Sequence, residues 1–340
     1  MKKEKIIAIV LAAMLLAGTL TACSKNGTME IMDPAAVTAD FTEGTVIDMD
    51  LSWEMIPLTA TPAVFDIPMP SAPRTSIRSN QKAEIDYSNA ADGYVMARFL
   101  QNTTKQLRVI IAGPTQVQYQ YRLNQNSQFE VFPLSDGNGS YTITVFEQIE
   151  GTRYSTANTL TLTVTLKDEF APFLRPNQFV NFTKDSAVVT KAADLVKGVN
   201  DLTGKVSAIY NFVIGNITYD TDFANEVQRG MHSGYVPNVD SVLSKGKGIC
   251  FDFAALMAAM LRSQSIPTRL VVGYAGTQYH AWIDVWSAET GWVNNIIQFN
   301  GKDWLLMDPT FASSATNTRQ TEEVMRYIGD GTNYTARFLY

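Results

Sequence analysis

The stretch SKGKGICFDFAALMAAMLRSQSIP, residues 244–267, sets a cysteine directly after a Gly-Lys-Gly turn and directly before a mostly apolar run. A core cysteine usually lies inside such a run. Cys250 instead occupies the position where a helix begins and where backbone N–H groups have no intrahelical partner. The run after it is apolar on nearly all sides, which predicts a helix buried in the middle of its domain.

The flanking segments alternate between helical and extended periodicity. SAVVTKAADLVKG places Val189, Ala192, Ala193 and Val196 at i, i+3, i+4 and i+7, and TGKVSAIYNFVIGNI repeats the spacing with Val206, Ile209, Tyr210, Val213 and Ile214. Both read as amphipathic helices. Strands are expected beyond the buried helix, at TRLVVGY (268–274), QYHAWIDVW (278–286), GWVNNIIQF (291–299) and DWLLMDP (303–309). Helices followed by an antiparallel sheet predict an α+β domain over 168–340.

Before it, short alternating runs rich in Val, Ile, Thr, Tyr and Phe extend from about Ala83 to Leu166, broken by Gly, Asn or Pro. This is the pattern of a β-sandwich, assigned to 80–167. GSYTITVFEQIEGTRYSTANTLTLTVTL resembles the last strands of immunoglobulin-like modules, and a generic all-β unit explains the pattern equally well. Residues 23–79 hold six of the thirteen prolines and read as a membrane-proximal linker. Within them Trp53 and its apolar neighbours in VIDMDLSWEMIPL are able to pack on a later domain.

The first residues, MKKEKIIAIVLAAMLLAGTLTAC, have a basic start and an apolar run shorter than the ~20 residues a spanning helix needs, followed by small residues. Residues 1–22 read as an export signal. Leu20, Thr21, Ala22 and Cys23 resemble the lipobox of bacterial lipoproteins, which implies lipid attachment at Cys23 and an extracytoplasmic, membrane-anchored chain. A cleaved signal with an incidental Cys23 is the competing reading. The net charge of −6 on 340 residues gives no basic face for nucleic acid.

Only two cysteines are present. With Cys23 lipidated, Cys250 has no disulfide partner and is an inert hydrophobe, a cross-link between chains or a reactive group. Its neighbours favour reactivity. A cysteine nucleophile needs the thiolate, which a helix N-terminus and a nearby imidazolium both favour. Of the two histidines, His232 lies in the polar loop QRGMHSGYVPN and reads as a solvent-exposed or loop-packing residue. His280 lies in QYHAWIDVW, where alternation puts it on one strand face with Trp282 and Asp284, and Trp282 is suited to shield a site from water. A third group that orients the imidazole completes such a pair. Asp308, at the strand end marked by Pro309, is free to reach a neighbouring strand.

GKGICFDFAALMAAMLRSQSIPTRLVVGY, YHAWIDVW and WLLMDPTF, in that order, resemble the bacterial transglutaminase-like superfamily over about residues 203–312. The resemblance implies a papain-like core with Cys250 as nucleophile, His280 as general base and acid, and Asp308 as orienter. It also implies acyl transfer at an amide through a thioester, ending in hydrolysis or in transfer to an amine, with a peptide or protein substrate at the cell surface. The Cys250 N–H is a candidate oxyanion donor, with Tyr219 in ITYD as the second. Eukaryotic cross-linking members use a tryptophan there, which this upstream region lacks. No acidic loop of calcium-site spacing is evident, and no cofactor or metal is implied. A non-catalytic surface-binding lipoprotein on the same fold is the alternative.

Overall fold

The computed structural model describes residues 28–30, 67–293, 298–299, 304–305, 310 and 333–340. Residues 1–23, with the export signal and Cys23, lie outside them, as do Trp53, Asp308 and most of the last two expected strands.

The N-terminal unit is built from β1 (Thr28–Glu30), β2 (Ile77–Ser79), β3 (Ala83–Asp86), β4 (Tyr94–Phe99), β5 (Leu107–Ala112), β6 (Gln118–Leu123), β7 (Glu130–Pro133), β8 (Gly139–Glu150) and β9 (Arg153–Val164). They form two antiparallel sheets, ordered β1-β9-β8-β5-β6 and β2-β3-β4-β7. Alternation explains their packing. Tyr141, Ile143 and Val145 of β8 are buried with Val109 and Ile111 of one sheet and Ile85, Val95 and Phe99 of the other. The intervening Thr142 and Thr144 face outward and bond Thr161 and Thr159 across the strand pair, each at 3.1 Å.

The unit reaches back into the segment expected to be linker. β2 pairs with β3, β1 pairs with β9, Ile67 is buried, and Arg175 Nη1 donates to the Pro68 carbonyl at 3.1 Å. Proline-rich composition hides this, because these backbone groups find partners without any side-chain period.

The C-terminal unit runs α1 (Ala187–Leu195), α2 (Leu202–Asn216), β10 (Thr218–Tyr219), α3 (Thr221–Gln228), α4 (Val239–Lys245), β11 (Lys247–Gly248), α5 (Cys250–Ser263), β12 (Thr268–Ala275), β13 (Gln278–Ser287), β14 (Gly291–Val293), β15 (Gln298–Phe299), β16 (Trp304–Leu305) and β17 (Tyr334–Leu339). Every residue of α5 from Asp252 to Ser263 is buried, as its all-round apolar sequence predicts. The helix packs on the antiparallel sheet β14-β13-β12-β17. Leu270 and Val272 of β12 and Ala281, Ile283 and Val285 of β13 share its core. The architecture is α+β, with a β-rich unit ahead of a helix-on-sheet core.

α3 and α4 flank the polar loop of His232 and are not among the expected helices. Both carry side-chain caps: Asp220 accepts from Phe223 N–H at 3.0 Å and Asn238 from Ser241 N–H at 2.9 Å. β17 is likewise absent from the expected strands. It joins the two units: Tyr119 and Tyr121 of β6 pack on Phe338 and Tyr340, and the Ser135 hydroxyl donates to the Leu339 carbonyl at 2.6 Å. One hydrophobic core therefore crosses the 167/168 boundary where the sequence pattern changes.

Candidate active site

The approach to Cys250 is fixed by backbone pairing. β10 and β11 run parallel, with Tyr219 opposite Gly248, and the Asp220 N–H donates to the Gly248 carbonyl at 2.8 Å. Gly246 ends α4 in the left-handed conformation, φ 62°, which a side chain rarely adopts. Ile249 is extended at the helix N-cap, and Cys250 is the first helical residue, half-buried against the core. Its N–H belongs to the first turn, where no intrahelical acceptor exists.

The glycines before the thiol are expected to bring backbone close to a substrate. Gly246 does make the turn, but the crowding at Gly248 comes from inside the protein: a Cβ there would lie 2.6 Å from the Asp252 Cβ. Asp252 is the residue that sequence reasoning missed. Its carboxylate accepts from the Ile249 N–H at 2.9 Å and from the Tyr235 hydroxyl at 2.6 Å. The available signal was an acid at the third helical position, where a carboxylate reaches back to the N-cap.

Burial pushes Asp252 up to about 6 from an ordinary value of 3.8, against the opposing hydrogen bonds from Tyr235 and Ile249. A carboxyl raised on folding gives stability that is full below its unfolded value and is lost as pH rises through its folded one. Urea midpoints of the protein relative to Asp252→Asn should therefore fall between about pH 4 and pH 6 and stay level above. A difference independent of pH would show that Asp252 titrates normally.

His280 is buried on β13, opposite Gly273 of β12. It alternates with Ala281, Ile283 and Val285, which enter the α5 core, and its ring stacks on Trp282 at 6.2 Å and 22°. Tyr334 of β17 meets both rings edge-on, at 6.3 Å from His280 and 5.1 Å from Trp282. Tyr334 was not anticipated, since nothing before β17 is known identifies it as a neighbour of His280. A Cβ on Gly273 would lie 2.1 Å from the Thr335 carbonyl oxygen and 2.9 Å from Trp282. Gly273→Ala should therefore prise β17 from β12 and cost about 2–4 kcal/mol, within the range of overpacking and lost strand pairing. Chemical denaturation checks this, and an unchanged midpoint would contradict the close approach.

Of the expected site residues, Tyr219 thus stands beside the segment that leads into Cys250, packed near Ile249 and Phe251. His280 and Trp282 stand together on the sheet that supports the cysteine's helix. Asp308 is outside the described residues. His232 packs in its loop, 2.7 Å from Glu226 and against the Phe223 ring.

A cysteine heading a buried helix on an antiparallel sheet that carries a buried histidine has the organisation of papain-like folds. Residues 189–295, within the C-terminal unit, match the family model of the transglutaminase-like superfamily, so this part of the chain is transglutaminase-like. The chain is 30% identical over 126 residues to the uncharacterized protein YebA of Bacillus subtilis, covering 31% of this chain and 16% of that one. It is 32% identical over 69 residues to a protein-glutamine gamma-glutamyltransferase of Pseudomonas aeruginosa, covering 16% of this chain and 10% of that one. The chain thus spans a small part of either relative. Among solved structures, the periplasmic domain of TgpA from Pseudomonas aeruginosa aligns at 16% identity and a TM-score of 0.30, over 69% of this chain and 97% of that one.

Proposed function

We propose that the protein is a membrane-anchored extracytoplasmic thiol enzyme that acts on amide bonds of peptides or proteins at the cell surface. The Cys250 thiolate attacks the carbonyl carbon, the C–N bond breaks, and the His280 imidazolium gives its proton to the leaving amine. Asp308 orients the imidazole and stabilises its cation. The resulting thioester is opened by water, giving an acid, or by a second amine, giving a new amide; in both cases His280 takes the proton from the attacking group. The Cys250 N–H, with Tyr219 as second donor, receives the charge that develops on the carbonyl oxygen. Trp282 limits water at the imidazole. Lipid on Cys23 supplies the anchor.

The observation that supports this reading is the setting of Cys250 as first residue of a buried helix that packs on the strand of His280. The test is to incubate the purified protein with a peptide library and a labelled primary amine, and to read cleavage, deamidation and amine incorporation by mass spectrometry. Products that depend on Cys250 support the reading and their type decides between hydrolysis and transfer. Absence of any Cys250-dependent product would refute it.

A further inference from the structure

Asp252 is 1% exposed, lies two residues beyond Cys250, and joins the start of α5 to the segment between α3 and α4. Through Oδ2 it holds the Ile249 N–H, and so the peptide that leads into Cys250. Through Oδ1 it holds Tyr235, in the segment between α3 and α4. The contacts then close into a ring. Tyr235 packs edge-on against Phe223 of α3 at 4.8 Å, Phe223 donates its N–H to Asp220, and the Asp220 N–H returns to the Gly248 carbonyl, next to Ile249. Lys247 pairs with Asp220 at 3.0 Å on the outside of the ring. Ala224, Val227 and Ile249 are buried within it.

We propose that Asp252 and Tyr235 are positioning residues for Cys250. Their bond locks the start of α5 to α3 and the segment after it, so that the thiol and its backbone N–H are presented in one orientation. A carboxylate accepting one bond on each oxygen suits this task, because neither bond can rotate away without leaving a buried donor unpaired. The proposal rests on Cys250 being the reactive group.

The test does not require a known substrate. Alkylation of Cys250 by iodoacetamide is followed by intact-protein mass spectrometry, with Cys250→Ala as blank, in the wild type, Tyr235→Phe, Asp252→Glu and the double variant. Tyr235→Phe removes only the hydroxyl and keeps the ring on Phe223. Asp252→Glu keeps the charge and the reach to Ile249 N–H but moves the oxygen that Tyr235 needs. Each single variant should slow alkylation about fivefold or more, since small displacements of a reacting group are felt strongly. The double variant should be no slower than the slower single, because both break one bond. Val188→Ala, a core change in α1, should lower the thermal midpoint without changing the rate. If Asp252→Glu does not fold, Tyr235→Phe alone decides. Rates within twofold of wild type in folded Tyr235→Phe, or an equal slowing in Val188→Ala, overturn the proposal. Failure of the enzyme reading itself appears elsewhere, as absence of any peptide product from a wild type whose alkylation still depends on the pair.

Discussion

Cys250→Ala is expected to reduce product formation by about 10⁴-fold or more, as removal of a nucleophile does when the remaining groups act only through it. His280→Ala should cost about as much, and the double variant no more than either, since nucleophile and base work as a unit. Asp308→Asn should be milder by about a hundredfold, because an orienting carboxylate is one step removed from the bonds that change. The fold should tolerate Cys250→Ala. The residue is half-buried at the first position of a helix, alanine is the best helix former, and no hydrogen bond of the thiol is seen among the described residues. A thermal midpoint within a few degrees of wild type would separate lost chemistry from lost structure. Wild-type turnover in a folded Cys250→Ala protein would remove the thiol from the mechanism.

Arg262→Ala is expected to have the largest effect on stability. The guanidinium is 1% exposed in the last turn of α5 and bonds three carbonyl oxygens: Thr268 through Nε (2.9 Å) and Nη2 (2.7 Å), Tyr340 through Nη2 (2.6 Å), and Arg175 through Nη1 (2.7 Å). It thereby ties the end of the buried helix to the start of β12, to the residue after β17 and to the segment that follows the β-rich unit. Burial pulls its pKa down to about 9, which leaves it charged at neutral pH. Truncation would orphan the carbonyls and open a cavity at the junction of the two units. The cost should be about 4 kcal/mol or more, or a fall of about 8–16 °C in thermal midpoint at 2–4 °C per kcal/mol. Arg262→Lys should recover only a part, since a single ammonium cannot span three acceptors in a plane. A midpoint unchanged in Arg262→Ala would mean that the carbonyls are satisfied in another way.

What could be read from the sequence follows the physics of each element. The all-round apolar run after Cys250 could only be a central helix, and the alternation in QYHAWIDVW correctly separates His280 and Trp282 from Ala281, Ile283 and Val285. These depend on local period alone. Arg262 gave no such signal, because a cation in a helix's last turn is normally a solvated partner for the helix dipole, and its carbonyl acceptors come from remote segments. Tyr334 and β17 were hidden for the same reason: their role is set by pairing with β12, some sixty residues earlier in the chain. Asp252 lies between the two cases. Its position in the first turn is readable as a cap, whereas its bond to Tyr235 depends on how α3 and α4 fold back. The caps of those helices, Asp220 and Asn238, were present in the sequence, but both helices are too short for a convincing apolar stripe.

A thioester between Cys250 and an amide substrate should be visible by acid-quenched intact-protein mass spectrometry during turnover of the peptide library. The expected result is an acyl adduct on Cys250 that hydroxylamine discharges and that is absent from Cys250→Ala. Peptide products formed without any adduct, and equally by Cys250→Ala, would contradict it.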